Sequence, residues 1–224
     1  FFFFFFFFFV KLSKIIKMST NKYLRPGDKA PNFSAEAVLP SLEFEHISLN
    51  RYANRWLLLF SYPKNFTFVA PTEIAAFSER VKEFEKYNCS ILGLSTESVY
   101  AHFAWRTIER KRGGLGDIDV PIIGDITKSV AKSFGLYNEK EGSCYSGMCL
   151  INPKGVIMAI SYNSPEVGRS IDEALEIIEQ CQSINERSMN VISVQMTATK
   201  VEEKIENNES KDKVAPQTRC CVLL

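Results

Sequence analysis

Trp56-Leu57-Leu58-Leu59-Phe60 is an unbroken apolar run of strand length, and such a run suits a strand covered on both faces. No other segment restricts the architecture as tightly. A loop carrying Pro63 and Pro71 follows, and then apolar residues recur at Ile74, Phe77, Val81 and Phe84, the spacing of one helix face. The next apolar run, Cys89–Leu94, is again a strand. Strand, helix and strand within about 40 residues make a βαβ unit, whose crossover is expected to be right-handed.

The neighbouring segments fit the same pattern. Tyr23 to Phe33 is an irregular entry broken by Pro26-Gly27 and Pro31. Phe33–Val38 and Phe44–Leu49 are expected to be short strands separated by Pro40. A helix is expected over Val99–Arg112, ending at Gly113-Gly114; Pro121–Ile123 is a short strand and Ser129–Phe134 a short helix. Met148–Ile151 and Val156–Ser161 flank the turn Asn152-Pro153-Lys154-Gly155 and form a hairpin. A last helix opens at Ser170 with Glu173 three residues on, a capping box, and carries the stripe Ile171, Ala174, Leu175 and Ile178. Residues 23–186 are therefore expected to form one α/β domain. Residues 187–224 form a polar tail, in which Glu202 to Lys213 is almost wholly charged or amide.

The chain has 224 residues, 46% apolar and 24% charged, which suits a globular domain and excludes a collagen-like chain. No apolar run approaches the roughly 20 residues that span a bilayer. Nine of the 18 phenylalanines form the run Phe1–Phe9, followed by a basic stretch from Lys11 to Lys17 and then Met18. A secretory signal has the reverse order and a small-residue cleavage site. Residues 1–17 are expected to be translated upstream sequence, with a targeting segment as the alternative. Counting from Met18 removes three of the 27 basic residues and none of the 26 acidic ones, turning a net charge of +1 into −2. Neither value offers an electrostatic case for nucleic acid. The six cysteines show no C-x-x-C pair and no zinc spacing, so no metal or cofactor is expected and the thiols read as reduced.

The loop after the first core strand is the segment expected to carry chemistry. It reads F-S-Y-P-K-N-F-T-F-V-A-P-T-E, from Phe60 to Glu73. Position 70 falls at the start of the following helix, where unpaired N–H groups and the positive end of the dipole would depress the pKa of a cysteine. The residue there is Ala70. This loop resembles F-Y-P-x-D-F-T-F-V-C-P-T-E, the signature of the typical two-cysteine peroxiredoxins of the thiol-specific antioxidant (AhpC/TSA) family. The resemblance runs from Gly27 to Gln182 and includes Ala104-Trp105, Gly113-Gly114-Leu115-Gly116, Glu141-Gly142 and Val167-Gly168-Arg169-Ser170. It implies a thioredoxin-like α/β fold of peroxiredoxin type, a central mixed sheet flanked by helices. The activity it implies is thioredoxin-dependent reduction of hydrogen peroxide and organic hydroperoxides.

Carried over residue by residue, the resemblance implies a retained frame around missing reagents. Pro63 and Thr67 match the proline that shields the reactive cysteine and the threonine that hydrogen-bonds it. Glu73 and Arg169 match a supporting ionic pair. Ala70 stands where the peroxide-attacking cysteine belongs, and a methyl group has no lone pair to attack an O–O bond. Ser146, within Tyr145-Ser146-Gly147, takes the place of the arginine that polarises the peroxide. Val191 aligns with the resolving cysteine. An inactive family member is the reading, acting as a scaffold, a decoy subunit or a chaperone-like protein. The alternative is an active thiol peroxidase that uses Cys144 and needs thioredoxin as reductant.

Cys89, Cys149 and Cys181 lie on apolar stretches and read as inert core thiols. His46 and His102 read as surface or packing residues, Trp105 and Phe103 as packing residues, and Gly113–Gly116 as a flexible loop without phosphate-binding sequence. The final Cys221-Val222-Leu223-Leu224 fits the C-a-a-X prenylation pattern, and Cys220 offers a site for a second acyl chain. The expected partners are copies of the chain in a homodimer or ring, also mixed with active relatives, and a membrane reached through the C-terminal lipid. The expected location is the cytoplasm, on a cytosolic membrane face.

Overall fold

The computed structural model describes residues 24–184. Nine strands are present among them: β1 Ser34–Val38, β2 Phe44–Ser48, β3 Trp56–Ser61, β4 Cys89–Ser95, β5 Ile122–Gly124, β6 Tyr137–Asn138, β7 Ser143–Cys144, β8 Ser146–Ile151 and β9 Ile157–Asn163. Helices α1 Val69–Glu79, α2 Val81–Lys86, α3 Val99–Thr107 and α4 Ser129–Ser133 alternate with them. A further helix, α5, runs over residues 171–184. Seven strands form one sheet in the order β2-β1-β5-β4-β3-β8-β9, and β6 and β7 pair separately. The sheet is mixed: β3, β4 and β5 are parallel to one another, while β1, β2, β8 and β9 join by antiparallel pairings. This is a thioredoxin-like α/β fold.

All six residues of β3 are buried, as a strand covered on both faces requires. Side chains alternate across a strand, so Leu57 and Leu59 face one way and Trp56, Leu58 and Phe60 the other. The first pair joins a core with Leu92, Leu94, Ile123, Cys149 and Ile151, closed by Val130, Ala131 and Phe134 around α4. On the opposite face Phe77 of α1 stacks on Phe60 with ring centroids 4.8 Å apart, and Phe84 of α2 lies 6.0 Å from Phe77. Each fully buried aliphatic or aromatic side chain contributes about 1.5–3 kcal/mol of burial free energy, so this two-sided packing dominates the sheet's stability.

The expected elements recur, with two corrections. The helical stripe Ile74, Phe77, Val81, Phe84 is split between α1 and α2, because Arg80 leaves the helix at φ −111° and ψ 12°. Its guanidinium is held by Glu83 at 2.7 Å and Asp172 at 2.6 Å. The helix from Val99 stops at Thr107 rather than Arg112, since Ile108 is extended (φ −90°, ψ 133°) and only a 3-10 turn follows at Arg110–Arg112. The 113–116 loop then folds back: Leu115 N–H donates to Trp105 O at 2.9 Å, Gly116 N–H to Ile108 O at 3.1 Å, and the Trp105 indole to Gly113 O at 3.2 Å. It is a pinned loop rather than the flexible one expected. A Cβ on Gly114 would lie 1.9 Å from Ile108 O, which explains the glycine.

The hairpin of β8 and β9 and the entry to α5 follow the expected chemistry. The Asn152 side chain accepts the N–H groups of Lys154 and Val156 at 2.9 and 3.0 Å, closing the turn, and the Ser170 hydroxyl accepts Glu173 N–H at 3.2 Å. The chain divides into two units at Leu175, of which the second is described over residues 176–184 as helix only. Among the described residues no helix is long and apolar enough to cross a membrane. The expectations for residues 1–17, Val191, Cys220 and Cys221 lie outside the described residues.

Candidate active site

The C-terminal end of β3 delivers the chain into the loop 62–68 and then into α1. Ser61 donates its hydroxyl to Tyr145 O at 2.7 Å, and Tyr62 N–H donates to Leu94 O at 3.1 Å, so the loop leaves from a fixed origin. Phe66 adopts the left-handed conformation (φ 59°) and its ring contacts Trp105 with centroids 5.7 Å apart. Pro63 is half-buried, and Thr67 is exposed with its hydroxyl donating to Lys64 O at 3.3 Å, within its own loop. Phe68, just before α1, is 98% exposed.

Ala70 is the second residue of α1 and is buried. The amides of a helix's first turn lack intrahelical partners and carry its partial positive charge, so position 70 lies where an anionic side chain is stabilised. Here that field meets a methyl group. One helical turn on, at the i+3 position, Glu73 faces the same way. Glu73 and Arg169 form a buried bidentate pair: Nη2 donates to Oε2 at 2.8 Å, Nε to Oε1 at 3.1 Å, and the Arg169 N–H to Oε1 at 2.6 Å. Arg169 Nη1 also donates to Ser61 O at 3.0 Å and Gly147 O at 2.7 Å, and its guanidinium carbon lies 5.4 Å from the Phe60 ring centroid. One arginine therefore ties α1, the end of β3 and the start of β8 together. Ser146, at that start and next to Gly147, is buried and brings a hydroxyl but no cation.

Sequence reasoning missed a second buried cluster. Tyr62 O–H donates to Asn65 Oδ1 at 3.1 Å, Asn65 Nδ2 lies 3.1 Å from His102 Nδ1, and His102 Nε2 lies 3.2 Å from Ile123 O. A carbonyl only accepts, so Nε2 carries the proton and Nδ1 accepts from the Asn65 amide. His102 is fully buried and neutral, its pKa brought down to about 4 by burial, against the opposing pull of Ile123 O. Tyr62 is likewise pushed well above the usual phenol range by burial, with the Cys144 thiol and Glu97 adding to the rise. The available signal was position 65 itself, where the family pattern carries aspartate and this chain asparagine. His46, by contrast, is exposed.

Cys89, Cys144, Cys149 and Cys181 are all free thiols. Burial pushes Cys89, Cys144 and Cys149 up to about 12, and for Cys144 the charge of Asp125 adds to it. Burial also raises Cys181. A thiol at about 12 leaves roughly one thiolate in 10^5 at neutral pH, and the thiolate is the nucleophile. Among the described residues no group of three or more metal-ligating side chains comes together.

Comparison with known proteins agrees with this fold. A profile of the AhpC/TSA family matches residues 26–160. The chain is 45% identical over 156 residues to a thioredoxin peroxidase of Fasciola hepatica, covering 70% of this chain and 80% of the relative. It is 46% identical over 159 residues to the chloroplastic 2-Cys peroxiredoxin BAS1 of Hordeum vulgare, covering 70% and 75%. Among solved structures, the reduced 2-Cys peroxiredoxin of Plasmodium vivax superposes with a TM-score of 0.71 at 34% identity, covering 73% of this chain and 84% of the other. AhpC of Enterococcus faecalis gives 0.68 at 28% identity, covering 73% and 95%. The chain belongs to the AhpC/TSA family of peroxiredoxins.

Proposed function

We propose that this chain is a peroxiredoxin-family protein that has lost peroxidase chemistry and serves as a scaffold, a decoy subunit or a chaperone-like protein. Ala70 in the first turn of α1 carries this reading: the helix terminus that would stabilise a thiolate holds a methyl group. Ser146 in place of a cation at the start of β8 supports it. A thioredoxin-coupled peroxidase assay on the full chain tests the reading. No turnover above a variant lacking every cysteine is expected; turnover abolished by Cys144→Ala would establish the rival thiol peroxidase. The burial and raised pKa of Cys144 argue against that rival.

The chain's proposed partners are further copies of itself, in a homodimer or ring, and active relatives in mixed assemblies. Phe44, Tyr100 and Phe103 expose 42%, 68% and 36% of their surface, the Phe44 ring centroid lies 5.4 Å from that of Tyr100 and 5.6 Å from that of Phe103, and exposed aromatic patches mark contact surfaces. One structural relative, Plasmodium yoelii Prx1a modified at its N-terminus, forms an artifactual octamer. The C-a-a-X pattern at Cys221 supports a lipid tether to a cytosolic membrane face. Metabolic labelling with an isoprenoid analogue is expected to mark the wild type and not Cys221→Ser; an unlabelled wild type, in a host with the transferase, overturns the tether alone.

A further inference from the structure

The loop 62–68 is attached to one face of α3. His102 and Trp105 lie three residues apart on that helix, and residues at this spacing share a face. The Phe66 ring rests against Trp105 at 5.7 Å, and the Asn65 amide nitrogen lies 3.1 Å from His102 Nδ1. The Tyr62 ring, where the loop begins, approaches both, 6.0 Å from Trp105 and 6.2 Å from His102. Thr67, by contrast, donates to Lys64 O inside the loop itself. One aromatic contact and one polar contact therefore join the middle of the loop to the helix.

The polar contact depends on a neutral imidazole. Nε2–H donates to Ile123 O of β5, so Nδ1 is the one position left for a second proton. Facing Nδ1 are the Asn65 amide, with Nδ2 at 3.1 Å and Oδ1 at 3.2 Å, and the Tyr62 hydroxyl at 3.3 Å. None of these groups carries a negative charge. Asp125, two residues beyond Ile123, is turned to the N–H groups of Ser129 and Ala131 at 3.1 and 2.8 Å. Glu97 and the Cys144 thiol act on the Tyr62 phenol, whereas burial and Ile123 O act on the imidazole. On α3 itself Arg106 is a further cation, donating to Leu39 O, Pro40 O and Ile118 O. A protonated His102 would be a buried cation without a counter-charge, and such a group is driven toward water. Of the elements that meet His102, β3, β5 and α3 are held by sheet ladders or helical hydrogen bonds, and the loop is not. The path to water runs through the loop.

We propose that Asn65 and His102 form an acid latch: a proton taken from solvent at His102 Nδ1 frees the loop 62–68 from α3 while the sheet stays folded. The inference is independent of whether peroxidase chemistry survives. Burial holds the closed imidazole at about 4, and a ring opened to water returns to about 6.5. The closed form binds the proton less tightly, so its advantage is lost as pH falls through that window. Between pH 7 and pH 4 the balance shifts toward the open loop by about 100-fold. Loops with few attachments open at little cost in free energy, so a shift of this size empties the closed form.

Nitrogen-15 heteronuclear NOE measurements on the full chain at pH 7 and pH 4 test it. In the wild type, the values at residues 64–68 are expected to fall at pH 4 to those of a mobile segment, while β3 and β4 keep theirs. Asn65→Asp supplies the missing counter-charge, and its loop is expected to stay ordered at pH 4. Phe66→Ala removes the aromatic contact, and its loop is expected to be released at a higher pH than that of the wild type. A wild-type loop still ordered at pH 4, loss of order in β3 and β4 together with the loop, or release in Asn65→Asp equal to the wild type each overturns the proposal.

Discussion

Asn65 presents an amide to His102 where the family pattern has a carboxylate, and the imidazole's charge follows from it. A carboxylate would accept a proton from Nδ1 and favour imidazolium, whereas the Asn65 amide donates to Nδ1 and favours the neutral ring. The folded pKa of His102, about 4, lies below its unfolded value near 6.5. Between those values the unfolded chain binds the extra proton, so stability rises with pH through that window and is lost as pH falls. The loss from this residue approaches about 3 kcal/mol by pH 4. Urea unfolding at pH 7 and pH 4.5 is expected to show a larger drop for the wild type than for His102→Gln; equal drops contradict the assignment. In Asn65→Asp, NMR titration is expected to show the imidazole pKa raised. The Glu73–Arg169 pair gives a second residue-level test. Removing one partner strands a buried charge, so Glu73→Gln or Arg169→Met is expected to cost about 3–5 kcal/mol in urea unfolding, and Glu73→Leu with Arg169→Met less than the two combined.

Elements were legible where local chemistry decides them. The six-residue apolar strand β3, the β8–β9 turn closed by Asn152 and the Ser170 cap all depend on neighbours within a few positions. Illegible were features set by distant partners. The break at Arg80 involves Asp172, 92 positions away, and the Asn65–His102 contact joins residues 37 apart. Glu73 and Arg169 are 96 positions apart, and only the family resemblance linked them beforehand. The end of α3 at Thr107 belongs to this class, because the 113–116 loop packs back on Ile108 and Trp105. Gly114→Ala forces a Cβ against Ile108 O, and the loop has to move; a loss of about 1–3 kcal/mol in thermal unfolding is expected, with faster amide exchange at Leu115 and Gly116. Unchanged exchange at those amides contradicts the pinned loop.

For the whole molecule, fold and chemistry separate. The mixed sheet is that of a peroxiredoxin and the Glu73–Arg169 pair is formed, while position 70 carries a methyl group and Ser146 a hydroxyl. The proposed self-assembly makes its own prediction at this scale. Phe44→Glu with Tyr100→Glu places charges on two exposed aromatics in ring contact and is expected to reduce the mass of the assembly seen by native mass spectrometry; an unchanged mass contradicts a contact through that patch.

A frame that persists without its nucleophile can be examined through intact-mass kinetics after a pulse of hydrogen peroxide. The full-length wild type is compared with Ala70→Cys. In the variant, the new thiolate attacks one peroxide oxygen, the O–O bond breaks, and the chain gains one oxygen as sulfenic acid while hydroxide leaves. The wild type is expected to gain oxygen no faster than ordinary free thiols do, and Ala70→Cys to gain it faster. A wild type oxidised as fast as Ala70→Cys would overturn the proposed loss of peroxidase chemistry.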